Sequence, residues 1–165
     1  MKKTKMIFRI TALALATVFA ALSFACKKEE NTLKTPAEIC EHAKTLASFP
    51  KLEKGNEELL SGILGIKLDK LDSWELLYSE EGTLADEIAV FKLKDESYRS
   101  KLIYTLEQRL KRAASSARDY SPEQYDIILK STVEEKGRFV FYVVNEKSES
   151  IVSELKKLIE DWPQK

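Results

Sequence analysis

The sequence predicts an α+β domain: a four-stranded antiparallel sheet built from two strand-strand-helix units, with helices on one face and two N-terminal helices over the other. Three observations lead there. Trp74, Leu76 and Tyr78 alternate with Glu75, Leu77 and Ser79, the period of a strand. Apolar residues recur at helical spacing in Leu102, Leu106, Leu110, Ala113 and Ala117, and again in Ile151, Leu155, Leu158 and Trp162. Residues 139–144 (FVFYVV) are apolar on both faces, which marks a central strand whose two sides both need cover.

The elements follow in order. Thr35 caps a first helix, Pro36 suits its first position, Glu38 completes a capping box, and Pro50 closes the segment. A short helix over residues 56–64 presents Leu59, Leu60 and Ile63, with Gly65 as its C-terminal stop. Strands follow at 74–79 and 87–94, then a long helix over 97–117 and a short one opened by Pro122 and running to 129. Strands at 132–135 and 138–144 meet in a hairpin at Lys136-Gly137. A closing helix ends before Pro163. Residues 87–110 and 138–159 fall in equivalent places, the outline of a divergent internal duplication. The two long amphipathic helices are then expected on the same face of the sheet. The two N-terminal helices cover the other face, a role that a partner protein or a second copy of the chain would also fill.

Residues 1–30 read as an address and an anchor. Lys2, Lys3, Lys5 and Arg9 make a basic start without an acid, an apolar run fills residues 10–25, and Lys27-Lys28-Glu29-Glu30 ends it abruptly. That is the composition of a secretory signal. The uncharged run of about sixteen residues is short of the roughly 20 that a membrane-spanning helix needs. Ala25 directly before Cys26 resembles a bacterial lipobox, in which the cysteine is lipidated and becomes the mature N-terminus. Leu22 stands one place further back than in the strict pattern, with Ser23 in its position. The chain thus divides into a signal peptide (1–25), a lipidated Cys26 with a flexible tether (26–34) and a single domain (35–163). Two or three acyl chains on Cys26, palmitate among them, would make the attachment durable. This reading places the protein at the extracytoplasmic face of the cell membrane.

Composition narrows the function classes. The whole chain balances 27 Lys plus Arg against 27 Asp plus Glu, and loss of residues 1–25 would leave 23 against 27. A mildly acidic surface does not suit nucleic acid, which wants a concentrated basic face. With Cys26 lipidated, Cys40 has no partner in the chain, and its helical setting beside Ile39 and Ala43 reads as a buried small apolar residue. His42, the only histidine, lies two residues from Cys40 and would point elsewhere on a helix, as an exposed flank rather than a catalytic base. One histidine and one free cysteine fall short of a zinc ligand set. The scattered glycines form no phosphate-cradling loop, and no serine sits in a nucleophile elbow. No metal or cofactor is implied.

The polar candidates are Asp86, Glu87, Arg109, Asp119 and Tyr120. Asp86 and Glu87 begin a strand, and adjacent strand residues point to opposite faces, so the doublet alone does not make a paired-carboxylate site. Asp86 is read as organising its loop, and Glu87 as binding backbone or arginine at the sheet's edge. Arg109 flanks the apolar stripe of the long helix and is read as clamping a carboxylate, of Asp119 or Glu87, with its planar fork. Tyr120 and Tyr125 straddle a helix start that Asp119 or Ser121 can cap, and Tyr120 is read as a corner that packs its ring and bonds through its hydroxyl.

Several strings carry a resemblance to a family: residues 86–92 (DEIAVFK), Arg109 within 106–110 (LEQRL), residues 119–125 (DYSPEQY) and residues 137–144 (GRFVFYVV). Taken together and in this order, they resemble small bacterial lipoproteins, common in anaerobic Gram-positive bacteria and relatives, that are grouped only as a domain of unknown function. The likeness covers roughly residues 64–159, and Leu64-Gly65-Ile66 is similar to the family's Tyr-Gly-Ile segment with Leu in place of Tyr. The resemblance implies a location and an architecture but no activity. The expectation is a non-catalytic, lipid-anchored module that binds an envelope protein or a small ligand. The rival classes are a small envelope hydrolase with a carboxylate-based site and an accessory solute-binding component.

Overall fold

The computed structural model describes residues 32–161. The expected signal peptide, Cys26 and most of the tether lie outside the described residues, as do Trp162 and Pro163. The sheet is open, antiparallel and five-stranded, in the order β1-β2-β3-β5-β4, with β1 Leu52–Lys54, β2 Leu71–Ser79, β3 Glu87–Leu93, β4 Glu134–Lys136 and β5 Phe139–Val144. Four helices flank it: α1 Pro36–Leu46, α2 Arg99–Tyr120, α3 Pro122–Leu129 and α4 Ser148–Leu158.

Local chemistry sets the helix starts. Thr35 Oγ1 accepts from the Glu38 amide at 3.2 Å, and Glu38 Oε2 accepts from the Thr35 amide at 3.1 Å, the expected capping box. Pro36 and Pro122 each occupy a first turn, where a missing N–H costs nothing. Between Asn56 and Gly65 the chain makes a single π-helical turn, Glu58–Ile63, rather than the α-helix expected there. The Leu64 amide reaches the Leu59 carbonyl at 3.0 Å, and Gly65 ends the turn at φ +69°, the stop its residue type predicted.

The sheet and its cover differ from expectation in two further ways. The four-stranded sheet gains β1, whose three residues between Pro50 and Gly55 are too few to show a period. The two long helices, expected on one face, lie on opposite faces. Leu102, Leu106 and Leu110 of α2 pack with Ala89, Phe91, Val140 and Tyr142, together with α3 and the π turn. Ile151 and Leu155 of α4 join Ile39, Cys40 and Ala43 of α1 against Ile88, Val90, Phe141 and Val143. The reason is area. One side is filled by the 22-residue α2 together with α3 and the π turn. The other side, apolar along all of β3 and β5, needs more cover than α1 alone provides. The two strand-strand-helix units are therefore not equivalent copies.

The domain also begins earlier than expected. Leu33, assigned to the flexible tether, is buried; its amide donates to the Leu158 carbonyl at 2.9 Å and it bridges Ile159 in parallel. That bridge draws Ile159 into extended backbone, so α4 stops at Leu158.

Two glycines carry positive φ, Gly65 at +69° and Gly137 at +55°. A Cβ at Gly65 would meet open space, whereas one at Gly137 would overlap the Glu160 carbonyl oxygen. Gly65→Ala should therefore cost only the backbone strain, about 1 kcal/mol. Gly137→Ala should cost clearly more, about 3 kcal/mol with the displaced backbone included. Urea denaturation of the two variants measures the difference, and equal losses would contradict the Glu160 contact.

Candidate functional site

Two polar clusters form where β3 begins and β5 ends. In the first, Glu87 turns to the α2 side of the sheet with Ala89 and Phe91, while Ile88 and Val90 face the other layer. Tyr142, opposite Ala89 on β5, shares that side. From α2, Arg109 donates Nε to Glu87 Oε1 at 2.9 Å and Nη2 to Oε2 at 2.7 Å, a two-pronged pair. The Tyr142 hydroxyl donates to Glu87 Oε1 at 2.5 Å and accepts from Arg109 Nε at 2.9 Å. Burial, and then the Glu87 charge, hold the Tyr142 phenol well above its usual range, so it stays a donor. Burial alone would lower Arg109; the Glu87 carboxylate outweighs that and keeps the guanidinium charged.

The second cluster belongs to the loop before β3. Asn145 Nδ2 donates to Asp86 Oδ1 at 2.7 Å and to the Ser48 carbonyl at 3.0 Å, and Asn145 Oδ1 accepts from the Lys147 amide at 3.0 Å. The Ala85 amide donates to Gln124 Oε1 at 2.8 Å, tying the same loop to α3. Burial raises the Asp86 pKa, and the Asn145 hydrogen bond only partly offsets it.

Of the five sequence candidates, the structure brings together Glu87 and Arg109, one of the two pairings expected for Arg109. Asp86, expected to organise its loop, accepts from the Asn145 side chain at the end of β5. Asp119 is not the partner of Arg109: it is exposed, 3.6 Å from Arg118 Nε. Tyr120 is not a packed corner but 92 % exposed. The cause is length, since α2 runs to Tyr120 and the whole last turn, Arg118–Tyr120, is exposed. Ser121 precedes α3 without a side-chain capping bond. Cys26 lies outside the described residues. Cys40 is buried, as its apolar neighbours implied, and burial pushes its thiol far above the usual range. His42, expected on an exposed flank, is half-buried, and its Nε2 is buried without a hydrogen-bond partner among the described residues.

Sequence reasoning missed Tyr142, Asn145 and Gln124. Tyr142 did leave a signal. It is the one residue with a hydroxyl in a strand apolar on both sides, and a buried phenol demands a partner. Among the described residues no group of three His, Cys, Asp or Glu could hold a metal ion, and no helix is long and apolar enough to cross a membrane.

An antiparallel sheet between two helical layers, with a charged pair packed against one of its faces, defines a small α+β domain. The chain belongs to the family described as a domain of unknown function, DUF4358, whose model matches residues 46–145. That stretch contains every strand of the sheet and both polar clusters except the Lys147 amide, and it stops short of α4. No curated protein and no solved structure matches the chain.

The two clusters make separate predictions. Arg109→Met strands a charged Glu87 and should cost about 3 kcal/mol, the low end for a broken buried pair, because the Arg109 side chain keeps 24 % of its surface in water. Changing Glu87→Leu, Arg109→Met and Tyr142→Phe together leaves no member unpaired and should restore stability to within about 1 kcal/mol of wild type. A triple variant no more stable in urea than the single one would refute this account. For Asp86, a pKa raised by folding means its stabilising contribution is present below the ordinary carboxyl pKa and is lost as pH rises through the raised value. Asp86→Asn keeps an acceptor for Asn145 without the charge. It should match or exceed wild-type stability at pH 7, with the advantage shrinking as pH falls through the raised pKa and gone below about pH 4. A variant less stable at pH 7 in the same urea assay would reverse the sign.

Proposed function

We propose that the chain is a lipid-anchored, extracytoplasmic protein of the bacterial cell envelope, held at the membrane through lipid on Cys26 and acting as a non-catalytic binding module. The observation that carries this reading is the order of residues 1–30: a basic start, a short apolar run, Ala25-Cys26, then charge. No electrostatic attraction to anionic lipid is needed, and the acidic balance of residues 26–165 supplies none.

The polar clusters support binding over catalysis. A carboxylate-based hydrolase needs two acids converging on one substrate. Here Glu87 is committed to Arg109 and Tyr142, Asp86 reaches Asn145, and Asp119 stands apart in solvent. An accessory solute-binding role would call for two lobes around a cleft, and residues 32–161 form one sheet with its covering layers.

Growth of an expressing bacterium with radiolabelled palmitate tests the anchor. The wild-type chain should take up label and partition into the detergent phase, and Cys26→Ala should lose both properties. Equal labelling of the two would reject lipid on Cys26.

A further inference from the structure

The face of α2 that carries Arg109 also builds a cleft that neither polar cluster uses. Arg112 and Ala113 stand three and four residues after Arg109, and Ser116 four and three after them, so the four share one side of α2. Facing them is the π turn with Ile63 and Gly65, and together they line an open cleft. Its chemistry is lopsided. Two guanidiniums line it, and among the described residues no Asp or Glu does. Arg112 makes no ion pair or hydrogen bond among the described residues. Arg109 spends Nε and Nη2 on Glu87 and Tyr142, while Nη1 has no such partner among the described residues. The Glu87 clamp thus fixes one guanidinium at the wall of the cleft, with a hydrogen-bonding edge to spare.

Beside these charges lies an apolar surface that the core does not use. Ile63 is 72 % exposed, although it lies on a turn whose Leu60 is fully buried. A π turn widens the backbone by one residue per turn and is a recurrent device for presenting a side chain at a binding site. Gly62 keeps the wall low: a Cβ there would come no closer than 3.9 Å to any atom, the nearest being on the Glu58 side chain. The Arg109 charge is balanced by Glu87, so Arg112 brings the net positive charge, and a cleft with that charge, no acid in its lining and an aliphatic lip suits one kind of ligand. Planar guanidinium forks bind oxyanions through paired hydrogen bonds, and an exposed isoleucine rewards an apolar group attached to the anion.

We infer that the cleft between the π turn and α2 binds a carboxylate or phosphate that carries a short apolar substituent, held through Arg112 and the free edge of Arg109 with the substituent on Ile63 and Ala113. The inference deepens the binding-module reading by naming a ligand class. It rests on that reading and is independent of the lipid on Cys26, whose failure in palmitate labelling would leave the cleft untouched.

Calorimetric titration of the full chain in detergent micelles tests it with N-acetyl-leucine and phenyl phosphate as probes, and with uncharged N-acetyl-leucinamide as control. At least one of the two anions should bind saturably at one site per chain, and the better of them tells whether a carboxylate or a phosphate is preferred. The amide should bind at least tenfold more weakly. Arg112→Gln, at an exposed position, should weaken the anion at least tenfold. Gly62→Leu, which fills the cleft from its opposite wall without touching the core, should do the same. Binding of neither anion, equal binding of the amide, or unchanged affinity in Arg112→Gln would overturn the assignment.

Discussion

The pairing of β3 with β5 is the constraint from which the rest of the domain follows. Ile88 to Phe91 and Phe139 to Val144 lie side by side, and nearly every side chain on both strands is removed from water. Burying each large residue is worth about 2 kcal/mol, so neither side of the pair can be left open. The chain answers with two helical layers. One is drawn from the segment between β3 and β4 together with the π turn, the other from the two ends of the domain, α1 and α4. The Leu33–Ile159 bridge is the seam where those ends meet.

Within so apolar a sheet, the Glu87 carboxylate is an anomaly that the fold has to neutralise. It sits at the first position of β3, where the sheet begins to open, and it is matched by a guanidinium from α2 and a phenol from β5. Three elements remote in sequence are thereby joined at one point. An ion pair in this setting contributes little net stability, because desolvation offsets most of the attraction. Its effect is on geometry: it fixes the rotation of α2 about its own axis, and with it the side of that helix bearing Arg112, Ala113 and Ser116.

How much of this was legible depends on the range of the interaction involved. The Thr35–Glu38 box, the Gly65 stop, the α2 stripe and the strand beginning at Glu87 are written in neighbouring residues, and the structure has all of them. What the sequence concealed was decided at long range. Which face α4 takes depends on how much room α2 and α3 leave, and no local pattern records that. The three residues of β1 become a strand only because Leu77 to Ser79 offer them a ladder. Arg109 had two acids to choose from, and the choice of Glu87 over Asp119 came from helix length, since α2 carries Asp119 into solvent. Tyr120 failed as a corner for the same reason.

The borders of the sheet bear on how molecules of this kind behave when crowded. β1 and β4 are three residues each and carry Glu53, Lys54, Glu134, Glu135 and Lys136. The length of β2 beyond the reach of β1 includes a register shift at Leu71/Ser73, with Asp72 between them. Short, charged and irregular margins are poor templates for stacking one sheet onto the rim of the next. Confinement to a surface would raise the frequency of sideways collisions many-fold, and a flat, apolar rim would turn those collisions into fibrils. Edges built in this way disfavour the joining of one copy's sheet to the next at high concentration.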